Sequence, residues 1–412
     1  MRIAEKRTND YVIRVLASPL EVPAPDWNAL LAAQPEATPF MRHEYLAALH
    51  ESGSATPRTG WTPRFFTLWR GTRLAAACAL YLKDHSWGEY VFDWAWADAY
   101  TRFGLPYYPK ALVASPFTPV PGARLLAEDA AARRALVRAL IAWCREQELS
   151  SLHLLFGSAD DLAACADAGM MLRHQVQFHW HNRLAGAAPH ASPYADFDDF
   201  LASLNHDKRK KIRQERRKVA EAGVVFRWSQ GRDIAARDWD FFYRCYERTY
   251  LEHGNAPYLR RDFFHRIAAT LPEHWVLFVA ERAGRPIATS LIAINECLEP
   301  AAAPFDSNSS RPPAPKAPER VAYGRYWGAL ERVDCLHFEA CYYQPLAWCI
   351  AHGIARFEGG AQGEHKMARA LLPTRTSSAH WLAHPAFADA VERFLAREGQ
   401  GVDEYLDELA ER

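Results

Sequence analysis

The sequence predicts an α/β protein made of two similar domains, each a mixed sheet flanked by helices, and three observations predict it. The first is length: 412 residues exceed the size at which a single hydrophobic core keeps growing. The second is an internal repeat. Pro39-Phe40-Met41-Arg42-His43 opens an amphipathic helical stretch, and Pro257-Tyr258-Leu259-Arg260-Arg261 opens another of the same pattern. Each precedes a strand-turn-strand, residues 65–82 about Gly71 and 277–294 about Gly284, and each hairpin is followed by x-Gly-x-Tyr, at 87–90 and 323–326. The offsets, 257 − 39 = 218 at the prolines and 284 − 71 = 213 at the turn glycines, are those of a duplicated domain rather than a solenoid unit. The third is the alternation of helical and strand patterns along both halves. Two such domains side by side form a cleft, the usual place for a ligand.

The first domain is expected over residues 11–183. After a leader of about ten residues, a strand is expected at 11–16, helices at 27–31 and 43–50, and then the first hairpin. Residues 90–96 read as a strand with Tyr90, Phe92, Trp94 and Trp96 on one face, a wall for a ligand or simply core. A helix at 130–147 and a short buried strand at 151–156 follow. Residues 182–192, with Gly186 and Pro189, form a joint, and the second domain is expected over 194–412. It begins with one helix at 196–222, then strand 224–228, helices 235–252 and 261–270, the second hairpin, strand 333–342, helix 345–352, strand 354–358 and helices from 384 on. Residues 299–319 carry six prolines among few apolar side chains, a composition that predicts a disordered, inert insertion at a hairpin tip.

Composition excludes several classes. Lys plus Arg and Asp plus Glu both number 49, so no net field draws the whole chain to DNA or to a membrane surface. Eight scattered cysteines and no run of about 18 apolar residues predict a reduced, cytoplasmic protein with no membrane span. The P-loop, dinucleotide, zincin and serine-hydrolase signatures are all missing from the sequence.

Three constellations remain. In 333–342, alternation puts Cys335, His337, Glu339 and Cys341 on one strand face, where His337 and Glu339 suit a proton relay and equally a satisfied pair in a mixed core. The spacing of Cys335, His337, Cys341 and Cys349 matches no zinc knuckle, so no metal is expected. Residues 357–369 crowd Glu358, Glu364, His365, Lys366 and Arg369 about three glycines, a pattern suited to a polarised site or to a solvated turn. On the first view, Glu358→Gln and Lys366→Ala act on activity and leave stability intact. Residues 205–218 carry eight cations and two acids, a local charge of 8 − 2 = +6. Leu201, Leu204, Ile212 and Val219 form an apolar stripe, so the segment reads as an anchored helix with a positive face, fit for phosphate or RNA or merely solvated.

With these motifs in view the chain resembles the FemAB-like proteins, a bacterial group tied to peptidoglycan biosynthesis and belonging to the GNAT acyltransferase superfamily. The residues that carry the likeness are 201–225, Trp87 to Ala97, Tyr107-Tyr108-Pro109-Lys110, Ser115 to Val120, His337 to Gln344 and Glu358 to Lys366. The resemblance implies two tandem GNAT-like domains and transfer of an acyl group to an amine of a cell-wall precursor. It further implies a co-substrate, aminoacyl-tRNA as in the better-known Fem branch or acyl-CoA as in ordinary GNAT enzymes, with no tightly bound cofactor. Ordinary GNAT proteins carry a glycine-containing pyrophosphate loop at a strand-to-helix turn; the turn expected here, 340–345, has no glycine, which counts against acyl-CoA. A silent scaffold that only binds a peptidoglycan fragment is the other reading. On this basis the expected catalytic residues are Glu358, His337, Glu339 and Lys366. Substrate contacts are expected from Trp94, Trp96, Tyr343, Gln344, His365 and Arg369, and donor phosphate or tRNA contacts from Arg209, Lys210, Arg213 and Arg217.

Overall fold

Secondary structure in a computed structural model is described for residues 4–8, 11–183, 192–295, 319–361 and 363–410. Most of the expected joint and nearly all of the proline-rich segment lie outside them. The chain forms two compact units, 1–176 with 258–263 and 375–412, and 177–257 with 264–374. Residues 375–412, expected in the second domain, thus belong to the unit built on the first half.

In the first unit β1 (Ala4–Thr8) and β2 (Tyr11–Leu16) lead through α1 (Ala24–Ala32) and α2 (His43–Glu51) to the hairpin β3 (Trp61–Arg70) and β4 (Arg73–Lys83). Then come α3 (Trp94–Arg102), β5 (Lys110–Val113), β6 (Leu126–Ala127), α4 (Ala130–Glu146), β7 (Ser151–Leu154) and α5 (Ala159–Asp167). Asp129 caps α4 by accepting from the Ala132 amide at 2.7 Å. The apolar stripe Leu136, Val137, Leu140, Ile141 and Cys144 of α4 packs on Phe66, Leu68, Cys78 and Leu80 of the hairpin to make the core. The helix connects β5 to β7, which pair in parallel as such a crossover requires.

Next, β8 (Met171–His181) runs into the second unit, followed by α6 (Phe197–Ser203), α7 (His206–Glu221), β9 (Val224–Gln230), α8 (Ala236–Glu252) and α9 (Arg261–Thr270). The second hairpin is β10 (Trp275–Arg282) and β11 (Arg285–Ile294), followed by β12 (Val321–Ala329). A short α10 (Leu336–Phe338) continues through a π-helical turn, Glu339–Tyr343, into α11 (Gln344–Ala351), and β13 (Arg356–Ala361), β14 (Leu372–Leu382) and α12 (Pro385–Ala410) complete the chain.

The expected duplication is present. Both hairpins turn on a positive-φ glycine, Gly71 and Gly284, and both carry a bulge. In each unit a meander is followed by a helical crossover into a parallel strand, β5 to β7 and β12 to β13. The x-Gly-x-Tyr match is a coincidence of letters: Gly88 sits in a loop at φ 82°, whereas Gly324 lies inside β12.

Three expected elements differ. Residues 90–96 do not form a strand: Tyr90 is left-handed at φ 63°, and the helix α3 starts at Trp94, so the four aromatics do not share a face. Residues 333–335 belong to a turn and 336–343 are helical, with Leu336, Glu339, Ala340 and Tyr343 buried at helical spacing; a window this short satisfied both periods. The helix expected at 196–222 is two, broken at Leu204 because Asn205 caps α7 by accepting from the Lys208 amide at 2.9 Å.

In both units, the strand beside the crossover strand comes from the other half of the sequence. In the first unit β7 pairs with residues 379–382 of β14, and in the second β13 pairs with residues 177–181 of β8. A fragment ending at residue 183 therefore leaves β7 without its neighbour. We expect fragment 1–183 to lack cooperative urea unfolding, and added peptide 372–410 to restore it; a cooperative transition in the fragment alone would show that β14 is dispensable.

Candidate functional site

The polar residues gathered in the second unit depend on α7, whose two faces differ. Its buried face carries Ile212, Glu215 and Val219. Glu215 accepts from Arg369 Nη2 at 2.6 Å and from the Tyr343 hydroxyl, and the Arg369 guanidinium lies 3.7 Å from the Phe338 ring centre. Beside it Arg216 Nε meets Glu339 Oε1 at 3.2 Å, and Gln344 Nε2 donates to the same oxygen at 2.7 Å. The other carboxylate oxygen of Glu339 is buried with no hydrogen-bond partner among the described residues. Burial raises the Glu339 pKa, and Arg216 opposes the rise.

Glu339 and Gln344 line a cavity of about 410 Å³. Its walls include Leu201, Val219 and Phe226, and Arg213, Arg216 and Arg217 line it too. A second hollow of about 410 Å³, lined by His206, Arg209, Lys210, Arg213, Gln214 and Arg217, shares Arg213 and Arg217 with the first. The expected donor residues Arg209, Lys210, Arg213 and Arg217 thus lie together on α7, and two of them reach the cavity of Glu339.

The other expected residues are placed differently. His337 is exposed and packs against Trp327 and Tyr342, with no bond to Glu339 among the described residues, so the relay expected from a shared strand face is not formed. His365 is exposed with Nε2 3.3 Å from the Tyr342 hydroxyl. Tyr343 and Arg369 are buried on Glu215. Lys366 is buried, and its Nζ donates to the carbonyls of Gly360 at 3.1 Å and Ala361 at 2.9 Å; burial lowers its pKa to about 8. Gly359 makes room for the protein itself: a Cβ there would stand 2.4 Å from Leu371 and 3.0 Å from the Phe178 carbonyl. Glu358 is buried in β13, with Oε1 3.2 Å from Arg356 and Oε2 4.0 Å from His179 Nε2. Burial first, then Arg356, lowers the His179 pKa to about 3.

The strand-to-helix turn is residues 330–335, and like the turn expected at 340–345 it has no glycine. The amides of Leu336, Phe338 and Glu339 already donate to Val333 and Cys335 carbonyls at 3.2, 3.0 and 3.1 Å. Two acids, Glu331 and Asp334, occupy the turn. An anion finds few free amides there.

The first unit holds a polar cluster at the corresponding strands that sequence reasoning missed. Lys110 of β5 is buried between Glu89, at 2.8 Å, and Asp93. Tyr107 donates to Asp93 at 2.6 Å and lies 3.2 Å from His153 Nε2, while His153 Nδ1 is 2.8 Å from His380 Nδ1. Burial pushes Glu89 up to about 7, whereas at Asp93 burial is opposed by the Lys110 charge, by His153 and by hydrogen bonds from Lys110 and Ser86, which together hold the carboxyl below its usual range. His153 faces His380 across β7 and β14 as Glu358 faces His179 across β13 and β8. Trp96 is core, edge-on to His380 at 5.1 Å, and Trp94 packs on Trp87 at 5.0 Å. The signal available was Glu89, Asp93 and Lys110 in one short stretch, readable only once β5 was known to bury its lysine.

Fold and site define an α/β protein of two similarly built units, each a meander followed by a helical crossover into a parallel strand. The chain belongs to the FemAB-like family, described as peptidoglycan biosynthesis/recognition, which it matches over residues 18–412. Among solved structures it resembles FemX (10% identity, TM-score 0.50, covering 90% of this chain and 98% of that one). It also resembles the C-terminal domain of a putative lysylphosphatidylglycerol synthetase from Agrobacterium fabrum (11%, 0.52, 91% and 96%). A tandem GNAT protein from the clavulanic acid pathway aligns at 14% identity and TM-score 0.42 over 90% and 98%. No curated protein sequence matches. Among the described residues no helix is long and apolar enough to cross a membrane.

Two predictions follow from the buried groups. Burial lowers the His153 pKa to about 3, so below pH 6.5 the unfolded imidazole takes up a proton that the folded one does not. Stability then falls by about 1.4 kcal/mol per pH unit towards pH 3, and urea midpoints from pH 7 to 5 should fall less steeply in His153→Gln than in the parent. Lys366→Ala strips two backbone carbonyls of their donor and should cost about 1–3 kcal/mol of stability, contrary to a role confined to activity. An unchanged melting temperature would return Lys366 to the site.

Proposed function

We propose that the protein is a cytoplasmic N-acyltransferase of peptidoglycan precursor synthesis, which moves an aminoacyl group from an RNA-linked ester to an amine. The observation that carries this reading is the continuity of the cationic α7 surface with the Glu339 cavity through Arg213 and Arg217. A polyanionic donor held along α7 places its acyl end at an open, partly apolar pocket that holds one buried carboxylate, Glu339, and one exposed carboxylate, Asp198. The family's role in peptidoglycan biosynthesis or recognition supports an amine acceptor from that chemistry.

The transfer requires a C–N bond to form at the ester carbonyl, the C–O bond to break, and a proton to leave the nitrogen and reach the departing hydroxyl. Glu339 is the residue placed to take that proton, since burial makes it a stronger base than an exposed carboxylate and Gln344 orients it. Glu358 and His337, also expected to handle protons, do not line this cavity. Arg213 and Arg217 serve the donor's phosphates, while Lys366, expected to be catalytic, and Arg369, expected to contact substrate, are engaged within the protein. Acyl-CoA is less well served, because the amides at the strand-to-helix turn are already bonded and Glu331 and Asp334 occupy it.

Replacing Arg209, Lys210, Arg213 and Arg217 by Gln should weaken binding of tRNA and reduce the slope of log affinity against log salt by about 3, near 0.7 per lost contact. Affinity and slope unchanged by the fourfold replacement would exclude this surface. Turnover of acyl-CoA unaffected by it would establish the acyl-CoA reading, and tight precursor binding with no turnover of either donor would establish a binding protein.

A further inference from the structure

We propose that Glu339 is the recognition residue for a primary ammonium group and that Arg216 is its resident counter-ion, displaced when that group arrives. The proposal rests on reading the Glu339 cavity as part of the transfer site and says which chemistry the cavity selects. Glu339 is 4% exposed, and a carboxylate so buried needs cationic or hydrogen-bonding partners on both oxygens to offset its desolvation. Among the described residues only Oε1 has them, from Arg216 and Gln344, and Oε2 is buried without one. The site is half filled.

Arg216 is suited to give way. Its side chain is 35% exposed and its guanidinium lies 4.7 Å from the Phe197 ring centre, so it reaches Glu339 from the solvent side of the cavity. Arg217 is the next residue and Arg213 lies one turn back, both lining the same cavity, so a phosphate bound there offers Arg216 a competing anion. An ammonium that enters as Arg216 turns to the phosphate gains both carboxylate oxygens, and charge at the pocket floor stays balanced. A plain acyl tip would leave the carboxylate buried with fewer partners, and is disfavoured for that reason.

The ammonium has two sources in an aminoacyl transfer, the α-amine of the donor's amino acid and the alkyl amine of the acceptor. Alanine amide represents the first and Nα-acetyl-lysine amide the second, each to be titrated against its fully N-acetylated counterpart by calorimetry near neutral pH. At least one free amine should bind about tenfold more tightly than its acetylated partner, and the one that does identifies the source. Glu339→Gln should bring that ratio within about twofold, while Arg216→Gln keeps the preference and tightens amine binding, since the competing cation is gone. A preference absent from the wild type, or one that survives Glu339→Gln, would overturn the proposal. Should Glu339→Gln fail to fold, Glu339→Asp, which keeps the charge but shortens the reach, must still reduce the ratio. A preserved preference in a protein that transfers nothing would defeat the transfer reading and leave the ammonium site standing.

Discussion

The second unit depends on one buried carboxylate, Glu215. It receives Tyr343 from the π-helical turn and Arg369 from the turn after β13, so three segments distant in sequence are fixed to a single side chain of α7. Burying a carboxylate is unfavourable unless it gains a cation and hydrogen bonds, and Oε2 of Glu215 receives both, from Arg369 and Tyr343. The consequence is geometric. Because Glu215 holds the inner face of α7 in place, its neighbour Arg216 falls on Glu339, and the cations one turn away point to the outside. A helix with a local charge of +6 would otherwise have only its apolar stripe to orient it.

The duplicated fold places titratable groups at the same topological position twice, with different results. In the first unit His153 and His380 meet across strands, and in the second Glu358 meets His179. Neither pair lines the Glu339 cavity. The first-unit cluster pairs its lysine with two carboxylates, Glu89 raised by burial to about 7 and Asp93 held below its usual range, so the lysine's charge is met chiefly by Asp93. In the second unit the carboxylate that lines the cavity, Glu339, lies one element away, on the π-helical turn, a distortion that commonly marks functional positions.

The hairpins, the crossover helix α4 and the basic face of α7 were legible in the sequence because each is specified locally, by turn glycines, by an N-cap and a 3.6-residue stripe, or by charge density. The segment 333–342 was not. Its polar and apolar residues alternate, and only the burial of Leu336, Ala340 and Tyr343 against the sheet selects a helix. The same holds for Glu358 and Lys366. Charges beside glycines suggested a solvent-facing site, but Glu358 sits inside β13 and Lys366, in the turn after it, donates back to the β13 carbonyls, while the pairing of β13 with β8 joins residues as distant as His179 and Glu358 (358 − 179 = 179). Long-range partners of that kind leave no local pattern. Arg216 escaped notice for a simpler reason: among eight cations in one helix, nothing in the order of residues marks the one that turns inward.

The pairing of β7 with β14 has a consequence for how the protein is made. Leu154 and Ala379 are 225 residues apart (379 − 154), so the strand that pairs with β7 leaves the ribosome long after β7 itself. At synthesis rates of 5–20 residues per second, the edge of β7 waits roughly 10–45 s for its partner. During that interval the nascent chain presents an unpaired strand beside a hydrophobic core, the kind of surface that chaperones shield and that other chains can capture. Ordering along the gene thus gives the protein a vulnerable period that its finished structure does not display.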